Sequence, residues 1–136
     1  MLPKNTSFYI HIFVEVPASL AFLFNPSGTL AQPQPFAHAV IRQYGILLFC
    51  MNLTIILVLC HDPATDEIGY AFYQQLEQQL AAVLALYHFA PLFRALTRIH
   101  NTCGTERILT GPWMHMALHT ACLGALLAES LRFARG

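Results

Sequence analysis

Two histidines one helical turn apart, His115 and His119, sit in the otherwise apolar stretch TGPWMHMALHTACLGALLAESLRF, residues 110–133. Residues four apart share a helix face, so both imidazoles project the same way. Imidazole changes charge near neutral pH and serves as a general acid or base. Other polar groups interrupt apolar stretches in the same manner. Glu15 follows His11 by one turn, Arg42 follows His38 by one turn, His88 stands alone beside Tyr87, and Asn52 lies deep in a hydrophobic run. A carboxyl group and several imidazoles in a dry pocket can hold unlike protonation states, which is what proton transfer to and from a substrate requires. Glu15, His88, His115 and His119 are therefore the candidate catalytic residues. His38, Arg42, Asn52 and Tyr87 are the candidate substrate-binding residues, with Arg42 able to polarise a carbonyl or hold a carboxylate. Tyr44 and Trp113 are further hydrogen-bond donors, although Trp113 also suits the aromatic belt at a membrane interface. The same polar groups would equally serve as a clasp that fixes the register of packed helices.

The elements that must position these residues are helices in lipid. Only 10% of the 136 residues are charged, 56% are hydrophobic and mean hydropathy is +0.51. Ordinary soluble domains carry roughly 25% charged residues. A small soluble chain exposes much of its surface and needs charge to cover it. This chain cannot supply that charge, and we read it as an integral membrane protein. Formal net charge is zero, so no basic surface for nucleic acid is evident. The four cysteines, Cys50, Cys60, Cys103 and Cys122, are scattered without a C-x-x-C pair, which argues against a disulfide framework or a metal site. The first apolar run follows Lys4, but His11, Glu15 and Pro17 interrupt it, so it reads as a mature transmembrane helix rather than a cleaved leader.

Four spans are expected, at about 8–24, 36–60, 66–99 and 112–133, in a single domain covering residues 1–136. The first, short and expected to kink at Pro17 beside Glu15, suits a thin membrane such as the endoplasmic reticulum. Asn25-Pro26-Ser27-Gly28 is turn chemistry, and Pro33 and Pro35 extend the connection. The second contains GILLFCMNLTIILVLC, the most hydrophobic segment. Asp62 and Pro63 restart the chain, with Asp66 and Glu67 at the positive end of the next helix. Residues 73–79, YQQLEQQ, are too polar to face lipid on all sides and read as an interfacial or bundle-facing extension. The third span contains His88 and Pro91, and Arg94, Arg98 and His100 lead out of it. A polar loop over 101–111 follows. Gly111 then caps the fourth helix, Pro112 opens it, and Ala117, Ala121 and Ala125 offer a face for close helix packing.

Short connections make these four helices an all-α, up-and-down transmembrane bundle. In that arrangement Glu15, His38, Arg42, His88, His115 and His119 fall in one half of the membrane. A charge deep in a bilayer costs at least about 2.5–3.5 kcal/mol on insertion scales, so it normally faces the interior and pairs. Glu15 with Arg42, or with a histidine, is the expected pair.

No Ser-His-Asp order, phosphate loop or dinucleotide fingerprint is present, so no cofactor and no metal are called for. Isomerisation or cyclisation of a lipophilic substrate that enters from the bilayer needs only proton transfer and shape. A pericyclic closure guided by shape is compatible with the same pocket. Two other readings use the same residues. One is a non-catalytic scaffold or accessory subunit for a partner membrane enzyme, supported by the small-residue faces. The other is a haem-binding bundle, with His88 opposite His119 as iron ligands.

Early Glu15, the R-x-x-G of Arg42 and Gly45, the Y-H-x-x-P-x-x-R from Tyr87 through His88 and Pro91 to Arg94, and the His115–His119 pair also carry a resemblance. Over most of its length the chain resembles small four-helix integral membrane proteins encoded in fungal secondary-metabolite gene clusters. That resemblance implies late tailoring or cyclisation of a terpenoid or polyketide. The acid–base pocket is chemically similar to that of four-helix sterol isomerases, whose motifs do not match here residue for residue.

Overall fold

The structure, a computed structural model, describes residues 5–30, 34–60, 67–101 and 111–132. It is all-α, with no strand among the described residues. Helix α1 spans Thr6–Phe24, a single 3-10 turn spans Pro26–Gly28, and α2 spans Pro35–Cys60. Helices α3, Glu67–Tyr87, and α4, Phe89–Asn101, are two halves of one rod interrupted at His88, and α5 spans Pro112–Arg132. Counting α3 and α4 together gives the four helices expected. Asp62, Pro63 and Asp66, and the loop with Cys103 and Arg107, lie outside the described residues.

Three helices are long and apolar enough to cross a membrane: Thr6–Phe24, Pro35–Cys60 and the continuous Glu67–His100. At ~1.5 Å per residue the 19 residues of α1 cover roughly 28 Å, close to the hydrocarbon thickness. The 26 residues of α2 exceed it, which a tilted helix accommodates. Helix α5 has the length, at 21 residues, but its two histidines, Glu129 and Arg132 lower its apolarity. Side-chain placement is inverted relative to a water-soluble protein. Phe13, Phe24, Phe36, Leu57, Ile68 and Phe72 are exposed, whereas His11, Glu15, Ser19, Asn52, Glu77, His88 and Glu129 are buried. Apolar groups facing outward and polar groups inward is the pattern lipid imposes, because a polar group in hydrocarbon has no water to satisfy it. This is the architecture of a membrane protein.

The chain divides into two compact units, one of Phe8–Asp62 and one of Met1–Ser7 with Pro63–Gly136. The first unit is a helical hairpin. Asn25 shapes its turn, accepting hydrogen bonds from the Gly28 backbone N–H at 3.2 Å and the Ser27 hydroxyl at 2.9 Å. Gly45 on α2 then sits against α1. A Cβ there would lie 3.0 Å from both the Ser19 carbonyl and the Leu23 nitrogen. The hairpin closes at that point because no side chain intervenes. Phe22 and Tyr44 meet next to it at a tilt, ring centres 5.6 Å apart. The end of α1 meets the beginning of α2, so the two run antiparallel.

In the second unit α5 packs along α3 and α4. Gln78 donates to the Ser130 carbonyl at 2.8 Å, and farther along the rod His88 meets His119. As numbering rises on one side it falls on the other, so α5 is antiparallel to the rod. The buried residues of α3, namely Tyr73, Glu77, Ala81, Leu84 and Ala85, recur at helical spacing. From α5, Cys122, Leu126, Glu129 and Ser130 are buried. Ala117 and Ala121 are exposed and Ala125 is half-buried. The small-residue face expected to pack is therefore turned outward. The larger Cys122 and Leu126 fill the seam, gaining the dispersion contacts that alanine lacks.

Candidate functional site

The break in the third helix has an identifiable cause. Pro91 carries no N–H for the Tyr87 carbonyl four residues earlier, and its ring crowds that carbonyl. The helix tightens just before it. The His88 N–H is shared between the Leu84 carbonyl at 3.3 Å and the Ala85 carbonyl at 3.1 Å. The rod resumes with the Leu92 N–H donating to the His88 carbonyl at 3.2 Å. His88 is thus the residue at the interruption, completely buried.

Across the seam, His88 Nδ1 lies 2.9 Å from His119 Nδ1, with the ring centres 5.1 Å apart. His115, one turn earlier on α5, has its ring 6.4 Å from that of His119 and edge-on to it. Tyr87 presents its ring edge-on to His88 at 5.2 Å. The three expected histidines His88, His115 and His119 are therefore brought together within one unit, with Tyr87 beside them. They are graded in access. His88 is buried, His119 half-buried and His115 exposed.

The contact constrains the protons. Two nitrogens 2.9 Å apart share one hydrogen. A neutral imidazole carries one N–H and one lone pair. If one ring donates from Nδ1, its own Nε2 is a lone pair. The accepting ring must then carry its hydrogen on Nε2. The pair therefore holds opposite tautomers when both rings are neutral, one with a basic Nε2 and one with an Nε2–H hydrogen-bond donor. The same contact bears on iron ligation. Metal–imidazole bonds are about 2 Å long, so at 2.9 Å no ion fits between these two Nδ1 atoms.

The hairpin unit holds the remaining candidates. Phe8, His11, Glu15 and Ser19 form one buried stripe of α1, and the ligand atoms of His11 and Glu15 lie within 4.8 Å of each other. Asn52 is buried, donates to the Leu48 carbonyl at 2.8 Å, and leaves its Oδ1 without a hydrogen-bond partner among the described residues. The expected pairing of Glu15 with Arg42 is not made. Arg42 is exposed, near the start of α2, where a long side chain can carry its charge to the membrane boundary. Glu15 instead shares its face with His11. His38 is committed within the hairpin connection, with Nε2 2.8 Å from the Leu30 carbonyl, and so braces the entry to α2.

A second polar group went unrecognised in the sequence. Glu77 and Glu129 are both buried. Arg132 pairs with Glu129 at 3.4 Å, and the Ser7 hydroxyl lies 3.5 Å from the same carboxylate. The signal available was the heptad spacing of Tyr73, Glu77, Ala81 and Leu84, which places Glu77 on the packed stripe rather than on a wetted face.

No protein-family model, no curated protein and no solved structure matches the chain.

Proposed function

We propose that this chain is a membrane-embedded isomerase or cyclase that acts on a lipophilic biosynthetic intermediate by moving protons. The observation that carries the reading is the His88–His119 hydrogen bond on apolar helices. His119 is the member a substrate can approach, and His88, buried behind it, sets its tautomer. When His119 donates to His88, its Nε2 removes a proton from an activated C–H. The resulting imidazolium passes its Nδ1 hydrogen to His88 or returns the Nε2 hydrogen to another carbon of the substrate. When His119 accepts, its neutral Nε2–H donates a hydrogen bond to negative charge developing on the substrate and keeps its proton. The proton taken by the basic Nε2 is the one returned, so protons balance, and no oxidant or leaving group is needed. Exposed His115 would contact the substrate beside it. Such acid–base help typically supplies ~100- to 10,000-fold in rate. Shape-guided pericyclic closure would use the same pocket with the histidines as hydrogen-bond donors.

A terpenoid or polyketide is the substrate class in this proposal, which rests on the resemblance to small membrane proteins of fungal biosynthetic clusters. The endoplasmic reticulum is the proposed location, which the short α1 suits. Co-expression with candidate lipophilic precursors, followed by product analysis, tests the reading. A new product that disappears in His119→Asn supports it, and identical product profiles with and without the chain overturn it. One observation favours the accessory-subunit alternative. Ala117, Ala121, Gly124 and Ala128 make an exposed small-residue face on α5, and a Cβ at Gly124 would meet nothing within 4 Å. A partner helix fits such a face closely. Product formed only when a second membrane enzyme is present, and unchanged by His119→Asn, would favour that role.

A further inference from the structure

Beyond the histidine pair, towards the chain end of α4, lies a basic face that the proton chemistry does not use. Arg94 and Arg98 are one turn apart on α4, which packs along α5. Arg94 follows His88 by six positions, and His115 precedes His119 by four. Because α5 is antiparallel to the rod, both steps lead the same way. At ~1.5 Å per residue they place Arg94 and His115 roughly 6–9 Å beyond the His88–His119 contact. The guanidinium groups of Arg98 and Arg94 both act on the His115 ring through space. Arg94 and His115 are exposed, and the same stretches of α4 and α5 expose the apolar side chains of Phe93, Leu96 and Trp113. Cationic groups thus stand to one side of the half-buried His119 imidazole, on helices that also expose apolar side chains.

We propose that Arg94, Arg98 and His115 seat the carboxylate of a single-chain amphiphile whose first carbons reach His119. Guanidinium groups bind carboxylates through charge-assisted, often paired, hydrogen bonds. The 6.4 Å between the His115 and His119 rings spans a few carbon–carbon bonds. The reacting carbon would therefore lie within a few atoms of the acid group. The inference rests on the acid–base reading for the fate of the bound molecule, but binding is tested without turnover.

Trp113 is the single tryptophan of the chain and stands two residues before His115. It reports on the site through quenching by bromine. The whole protein in neutral detergent is titrated at alkaline pH with a chain-brominated fatty acid and with the matching brominated fatty alcohol. The acid should half-saturate quenching at a concentration at least about tenfold lower than the alcohol. Arg94→Gln with Arg98→Gln should remove that preference, and Arg94→Lys with Arg98→Lys should keep most of it. In bilayers, brominated phosphatidylglycerol should quench no more than brominated phosphatidylcholine. Equal quenching by acid and alcohol in the unaltered protein overturns the proposal, whatever the variants do. Persistence of the preference in the glutamine double variant overturns it too. A preference for the anionic bilayer lipid that matches the preference for the acid assigns the face to lipid headgroups and overturns the substrate seat. A bound acid that yields no product with any precursor would instead count against the acid–base reading and leave the seat intact.

Discussion

Replacing His119 by asparagine, alanine and glutamine separates what the residue does for folding from what it does for chemistry. The amide of asparagine stands about as far from the backbone as Nδ1 of histidine. His119→Asn therefore keeps a partner for His88 and deletes Nε2. Alanine removes both. With His119→Ala, His88 Nδ1 loses the 2.9 Å contact while its residue has no exposed surface. A buried polar atom left without its hydrogen bond costs about 1–3 kcal/mol. His119→Asn should cost less than about 1 kcal/mol, since the replacement hydrogen bond is of the same neutral kind. Glutamine reaches the Nε2 position but misses His88, so His119→Gln should pay the stability cost of alanine. Product formation should follow a different order. Loss of Nε2 removes the acid–base group, so asparagine and alanine should both lower turnover per folded molecule by ~100- to 10,000-fold. Thermal melts in detergent, read by helical circular dichroism, give the first order, and product analysis in a reconstituted pathway gives the second. Nitrogen-15 spectra of labelled histidines add a check that needs no substrate, because His88 and His119 should appear as opposite tautomers. The reasoning fails if asparagine destabilises as much as alanine, if both rings carry their hydrogen on Nε2, or if His119→Asn forms product normally.

Other perturbations test the scaffold around the pair. Gly45→Ala forces a Cβ against backbone atoms of α1 at 3.0 Å and should destabilise the hairpin by about 1–3 kcal/mol, seen as a lower melting temperature. Gly124→Ala meets no neighbour and should be neutral or stabilising by up to about 1 kcal/mol through helix propensity. Glu15→Gln and Arg42→Gln should be additive in folded yield, because the exposed Arg42 does not pair with Glu15. A double variant clearly better than the sum would show a coupling through some shared group. Pro91→Ala supplies a backbone N–H opposite the Tyr87 carbonyl and should raise helicity, yet reduce product formation, because regular winding at His88 would shift its ring relative to His119. Unchanged activity in that variant would show that the interruption does not position the site.

Helix number, and the location of the long apolar segments, were legible because lipid leaves few options. Backbone groups must be satisfied inside each segment, and helices do that. The membership of His88, His115 and His119 in one cluster was legible from spacing along antiparallel helices. Face assignments were less so. Arg42 was expected inside because a charge in lipid is costly, but near a helix end a long side chain avoids that cost by reaching outward. Ala117 and Ala121 were expected in the seam because small residues permit close approach. Permission is not preference, and Cys122 and Leu126 offer more contact area. Glu77 was hidden in a run of glutamines, where overall polarity masked the helical period.

The interruption at His88 shows why a single sequence yields the parts of a site more readily than their alignment. Pro91 was visible as a helix breaker, and His88 as a candidate ligand or base, three residues before it. The sequence pattern does not state that the two belong to one device. The Pro91 ring removes a hydrogen bond from Tyr87, the turn before it tightens, and the His88 N–H divides between two carbonyls. The buried stripe of α3 ends at Leu84 and Ala85, and Ala95 is buried on α4. Leu84, His88 and Ala95 recur at helical spacing, so the buried face runs on through the interruption and His88 stands on it. There its Nδ1 meets that of His119 at 2.9 Å. The proton chemistry proposed for this pair thus depends on a rod that keeps one buried face across a proline as much as on the two side chains.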